Sequence, residues 1–122
     1  MNVLLGIGAS ADAFDALEET VERAREAGDE LTVAILATPA TTHDADDTEA
    51  RVRSRLSEAG LDADIEHVEG DPGGGLVELA DSGDFDRIVL GGGDRSPLGK
   101  ITLGEVSEFV LLNAETSVTL VR

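Results

Sequence analysis

Val3-Leu4-Leu5-Gly6-Ile7-Gly8 is a short apolar run that stops at a glycine, the pattern of a strand buried on both faces of a parallel sheet. Ser10 or Asp12 then caps a helix whose apolar positions Phe14, Leu17, Val21 and Ala24 recur at three- and four-residue spacing. Glu18, Glu19, Glu22 and Arg25 fall on its other faces, and Gly28 supplies its stop. A second apolar run, Leu31-Thr32-Val33-Ala34-Ile35-Leu36-Ala37, closes at Thr38-Pro39, and the polar stretch from Thr41 to Asp47 reads as a loop. Val52, Leu56 and Ala59 mark one face of a second helix that ends at Gly60. Ala63-Asp64-Ile65-Glu66-His67-Val68 alternates in polarity, which predicts a strand near the sheet edge with one wet face.

The rest of the chain repeats the alternation. Gly70-Asp71-Pro72-Gly73-Gly74-Gly75 reads as a turn, and Leu76, Leu79 and Ala80 mark a short third helix from Gly75 to Asp81. Asp86-Arg87-Ile88-Val89-Leu90-Gly91 is a fourth strand. A loop from Gly92 to about Thr102 leads into a helix bearing Val106, Phe109, Val110 and Leu112, and Thr116 to Val121 forms the fifth strand. This order predicts one α/β domain over residues 1–122, with an open parallel five-stranded sheet, helices on both faces and right-handed crossovers, a Rossmann-like arrangement. Ligands of such sheets bind beyond the carboxyl ends of the strands, where strand order reverses. The loops to inspect are therefore Gly6 to Asp12, Leu36 to Ala40 and Gly91 to Gly104.

Composition narrows the function. The 122 residues suit one compact domain, and hydrophobic residues at 41% with only 2% aromatic predict a core of Val, Leu, Ile and Ala, with Phe14, Phe85 and Phe109 as its only rings. The absence of cysteine excludes a disulfide framework and a thiolate metal site. Twenty-six acidic against nine basic residues give a formal net charge of −17, and Lys100 is the only lysine. Such a surface repels nucleic acid and anionic membrane, so neither is expected as a partner. A hydrated carboxylate surface fits a halophilic protein working in concentrated salt, where a Debye length of roughly 3 Å at 1 M removes most self-repulsion. With no basic segment ahead of Val3 and no apolar run near the roughly 18 residues of a membrane span, a cytoplasmic location is expected.

The stretch from Asp86 to Arg122 resembles the carboxyl-terminal signature of the universal stress proteins, and nearly the whole chain can be read through that likeness. Val3 to Ser10 looks like the family's first strand and turn, and Leu31 to Pro39 like its second strand. Gly70-Asp71-Pro72 sits where the family has a glycine and proline before its third helix. Leu103-Gly104-Glu105-Val106-Ser107-Glu108 resembles the opening of the last helix. The resemblance implies an adenine nucleotide alpha hydrolase-like fold, a role in stress response, and a homodimer formed through the last strand, whose exposed edge is otherwise a pairing liability. It also implies where a nucleotide would sit: Leu36 and Leu90 near the base, with Gly91, Gly104, Val106 and Ser107 completing the cofactor-binding set.

Members of the family that bind ATP carry a glycine, two residues, a second glycine, nine residues, and a third glycine followed by a small hydroxyl residue. Glycines let backbone amides approach phosphates, and the hydroxyl and a helix amino terminus complete the anion site. Here the first and third glycines are Gly91 and Gly104, the second position is Asp94, and the hydroxyl position is Glu105. Gly8 stands where the family has an acidic residue near the nucleotide. A carboxylate about 4 Å from a phosphate oxygen costs on the order of 4 kcal/mol at an effective dielectric of 20, roughly a thousandfold in affinity. ATP is thus disfavoured as a cofactor, and the expected function is a non-enzymatic dimeric module. Asp94 and Glu105 also have a plain structural reading, an aspartate in a turn and a glutamate in a first helical turn. The alternative function is a nucleotide-binding protein with at most slow hydrolysis, in which a metal ion offsets the two carboxylates. An uncharged or cationic metabolite in the same cleft is a third reading.

Other constellations carry less. His43, beside Asp44, Asp46 and Asp47, reads as part of a solvated loop, and neither it nor His67 lies in a metal-ligand spacing. Gly6-Ile7-Gly8 lacks the third glycine of a dinucleotide fingerprint, and no glycine-rich loop ends in Lys-Ser or Lys-Thr. Arg95 and Lys100 read as a solvated loop pair. Ser10 and Ser107 have no evident base beside them and read as caps or polar helix residues. A response-regulator receiver shares the alternation but needs an acidic cluster after the first strand and a lysine after the fifth, and Gly8 and Val121-Arg122 offer neither.

Overall fold

A computed structural model describes residues 1–7, 12–36, 45–91, 94–95, 101–102 and 105–121. Gly8, Ser10, His43, Lys100 and Gly104 lie outside the described residues. The elements run β1 (Asn2–Ile7), α1 (Asp12–Ala27), β2 (Glu30–Leu36), α2 (Ala45–Ala59), β3 (Ala63–Val68), α3 (Pro72–Ser82) and β4 (Arg87–Gly91). They continue through the two-residue strands β5 (Asp94–Arg95) and β6 (Ile101–Thr102) to α4 (Glu105–Asn113) and β7 (Ser117–Val121). Five strands form one parallel sheet in the order β3-β2-β1-β4-β7.

Because successive side chains of a strand point to opposite faces, the sheet divides the core in two. Val3, Leu5 and Ile7 of β1 join Leu31, Val33 and Ile35 of β2 beneath Leu17 and Val21 of α1 and Val52 and Leu56 of α2. On the other face Leu4, Ala34, Leu36, Ile88 and Leu90 pack with Leu76 and Ala80 of α3 and Val110 of α4. Gly6 belongs to this second face and is a glycine of necessity: a Cβ there would lie 2.7 Å from Leu90 Cδ2 and 2.9 Å from Leu76 Cδ2. Gly28 ends α1 with φ +71°, the left-handed conformation that a stop glycine supplies.

β3 is an edge strand, with Asp64 and Glu66 exposed on the face that carries Val68. Four expectations need correction. The segment expected as loop to Asp47 is helical from Ala45, and Asp46 and Asp47 stand in the first turn of α2, where the helix dipole favours carboxylates. α3 starts at Pro72, ahead of Gly75, because Asp71 caps it: its carboxylate accepts from the Gly74 amide at 3.1 Å, and Pro72 occupies a first-turn position where a missing N–H costs nothing. The stretch expected as loop from Gly92 to Thr102 contains the antiparallel β5–β6 pair. The inward face of α4 is set by Ser107 and Val110, while Phe109 at 41% and Leu112 at 76% are exposed. Phe109 is therefore not a core ring; it lies over Gly73 at the α3–α4 seam.

Candidate functional site

Strand order reverses between β1 and β4: from β1 the chain builds outward through β2 and β3, then returns to the other side for β4 and β7. The carboxyl ends of β1, β2 and β4 therefore converge at the switch point where open α/β sheets hold ligands. The register pairs Ile7 with Ile35, Gly6 with Leu90, and Gly91 with Val121, so Leu36, Leu90 and Gly91 all end their strands at this side.

Of the six expected site residues, five are described, and they meet in two ways. Leu36 and Leu90 are 6% and 3% exposed and share one apolar cluster with the half-buried Val106. All three belong to the apolar core on the sheet face covered by α3 and α4. Ser107, also buried, donates its hydroxyl to the Gly91 carbonyl at 3.1 Å. That bond ties the first turn of α4 to the end of β4 and so fixes the two ends of the segment between them. Asp94 begins β5, paired with Thr102, and Glu105 is the first residue of α4. A carboxylate at a helix amino terminus is favoured by the macrodipole, whatever else it does to an incoming anion.

Sequence reasoning missed two polar anchors at this end of the sheet. Asp71 was legible: an aspartate directly before a proline at a helix start is a capping signal. Ser107 as a tether to Gly91 was less so, since its only sequence mark is that it falls on the same face of α4 as Val110.

His67, set aside above as a metal ligand, is bound at the surface between β3 and α2. Its Nε2 lies 2.7 Å from Glu49 Oε1, and Arg53 Nε lies 3.3 Å from Glu49 Oε2. The hydrogen bond from His67, reinforced by the one from Arg53, holds the Glu49 carboxyl below its usual range. Among the described residues no group of three or more His, Cys, Asp or Glu side chains is disposed to hold a metal ion, and no helix is long and apolar enough to cross a membrane.

The comparisons with known proteins agree with this architecture. The chain matches the universal stress protein family over residues 1–122. It is 36% identical over 73 residues to the stress response protein NhaX of Bacillus subtilis, covering 60% of this chain and 44% of that one, so the match spans less than half of that relative's length. The solved universal stress protein of Archaeoglobus fulgidus superposes with a TM-score of 0.83 at 25% identity, covering 100% of this chain and 98% of that chain. A universal stress protein solved in complex with cAMP superposes with a TM-score of 0.76 at 27% identity, covering 100% and 96%. With the parallel sheet, its strand order and the match over all 122 residues in agreement, the chain belongs to the universal stress protein family.

Proposed function

We propose that this protein is a non-enzymatic, dimeric module of the stress response whose carboxyl-end cleft does not take ATP in the family's usual way. The observation that carries this reading is the pair Asp94 and Glu105, which stand at the second glycine and the hydroxyl position of the phosphate-binding pattern. The Ser107 hydroxyl does not replace the lost group, because its proton is already given to the Gly91 carbonyl. That partner is a carbonyl rather than a base, which also argues against Ser107 as a nucleophile. The dimer forms through the outer edge of β7, whose backbone would otherwise present an open pairing edge.

A second reading is favoured by one specific observation: a family member 27% identical to this chain is solved in complex with cAMP. A mononucleotide carries fewer phosphate charges than ATP and meets less repulsion from the two carboxylates. In this reading Leu36, Leu90 and Val106 support the base, and Gly91 and Gly104 border the phosphate.

Calorimetric titration in molar potassium chloride separates the two. Magnesium ATP and cAMP are each titrated into the unmodified protein and into the double variant Asp94→Gly, Glu105→Ser. The first reading expects binding of ATP by the variant alone. Micromolar binding of ATP by the unmodified protein overturns it, and saturable binding of cAMP alone supports the second.

A further inference from the structure

Three large apolar side chains stand exposed close together on α4: Phe109 at 41%, Leu111 at 40% and Leu112 at 76%. The helix reads Glu105-Val106-Ser107-Glu108-Phe109-Val110-Leu111-Leu112-Asn113, and of its apolar residues only Val110 is fully buried. A surface helix normally confines its apolar residues to the stripe that faces the core, so α4 has a second apolar side to cover. The rest of the described surface follows the ordinary rule, with Met1 as its only other exposed large apolar residue.

Phe109 and Leu112 border a seam between α4 and α3. Gly73, Val77 and Asp81 recur at four-residue spacing and so share one side of α3. That side looks toward α4: Phe109 lies against Gly73, where a Cβ would come within 2.9 Å of its Cδ1, and the Thr116 hydroxyl donates to Asp81 Oδ1 at 3.3 Å. The half-buried Val77 lies between these two contacts, and Phe109 and Leu112, three positions apart, form the opposite bank. Glu78, Asp81 and Glu108 are exposed on the two helices, and neither helix contains a basic residue. The other layer differs, because Arg25, Arg53 and Arg55 of α1 and α2 pair there with Glu22, Glu49 and Glu18. The carboxylates of α3 and α4 have no such cation on their own helices.

We infer that the α3–α4 seam docks a cationic amphipathic helix of a partner protein, its leucine-class side chains packing on Val77, Phe109 and Leu112 and its lysines or arginines facing Glu78, Asp81 and Glu108. Apolar contact along the seam supplies affinity, and the flanking charges supply orientation and selectivity. A second copy of this chain fits poorly, since the seam laid against itself opposes carboxylate to carboxylate. The outer side of α4 is separate from the β7 edge and from the carboxyl-end cleft, so a helix seated there depends on neither dimer formation nor nucleotide binding.

The probe is a synthetic amphipathic peptide of leucine, alanine and lysine, about 18 residues or five helical turns long, titrated into the full chain and followed by amide-resolved NMR. Two control peptides run in parallel, one with the same residues scrambled and one with glutamate in place of lysine. Saturable shifts are expected at Gly73, Val77, Asp81 and Leu112. Binding weakens between roughly 0.15 M and 1 M potassium chloride but survives, because screening removes the charge attraction and leaves the apolar contact. Leu112→Ser weakens binding about tenfold, the effect of losing one buried leucine side chain, and at 76% exposure this residue can change without threat to folding. Glu78→Gln with Glu108→Gln flattens the salt dependence. No saturable shift, shifts spread equally over α1 and α2, a control peptide that binds as tightly, binding abolished at the higher salt, or an unaffected Leu112→Ser variant each overturns the proposal. Sedimentation without peptide covers the remaining occupant: if Leu112→Ser lowers self-association of the chain, a second copy covers the seam and the proposal falls.

Discussion

At Gly6 there is no room for a methyl group. The strand needs an extended backbone there, which any residue adopts, so it is the neighbours that forbid a side chain: Leu90 across the sheet and Leu76 above it from α3 both reach into the space. Gly6→Ala is expected to lower unfolding free energy by about 1–3 kcal/mol, the usual range for overpacking, read from urea denaturation at fixed salt. Adding Leu90→Val removes the nearest clashing methyl and restores part of the loss, whereas a change that acted only through unfolded-chain entropy would not be rescued this way. At the other side of the cleft, Ser107→Ala leaves the Gly91 carbonyl without its side-chain donor. The expected cost is about 1 kcal/mol, again from denaturation, and an unchanged stability would mean that the tether does not hold β4 to α4. Neither role was legible in the sequence. Gly6 reads there as one glycine of a motif that is not completed, and its reason lies in two leucines, Leu76 and Leu90, seventy or more positions away.

Elements were legible where burial acts on both faces at once. β1, β2 and β4 appear as unbroken apolar runs because each is covered above and below, and β3 appears as an alternation because Asp64 and Glu66 stay wet. Helix starts were harder, since they depend on which polar group takes the first amides. The glycines after Pro72 have poor helix propensity, and α3 still begins there because Asp71 caps it. Asp71→Ala is expected to cost about 1 kcal/mol and to raise amide exchange at Gly74 before it does so elsewhere in α3. The α2–β3 contact carries a pH dependence. The Glu49 carboxyl is held below its usual range by His67 first and Arg53 second, so it gives up its proton more readily folded than unfolded. Its contribution to stability is therefore present above the ordinary glutamate range and is lost as pH falls through the lowered folded value. Melting curves of the unmodified protein and Glu49→Gln should differ at neutral pH and converge in acid; a gap that stays constant through the acid range would show that this carboxylate does not contribute by its charge.

For the whole molecule, charge and association have to be considered together. Each chain carries a formal net charge of −17, so bringing two β7 edges into contact places two strongly acidic bodies side by side. Backbone pairing between edge strands is local and barely sensitive to salt, whereas the repulsion is long-ranged and is screened within a Debye length of roughly 10 Å at 0.1 M and 3 Å at 1 M. The proposed dimer must therefore strengthen as potassium chloride rises, the reverse of an assembly held by surface ion pairs. The same screening relieves repulsion within each chain, so the melting temperature should rise over the same range. Sedimentation equilibrium at micromolar protein across a salt series tests both statements when paired with melting curves. A dimer fraction that grows with salt fits pairing through β7 against a repulsive background. A dimer that dissociates as salt rises would mean that ion pairs hold it, and a monomer throughout would remove the dimer from the proposed function. The melting series remains informative in either case, because repulsion within the chain is present whether or not a partner is bound.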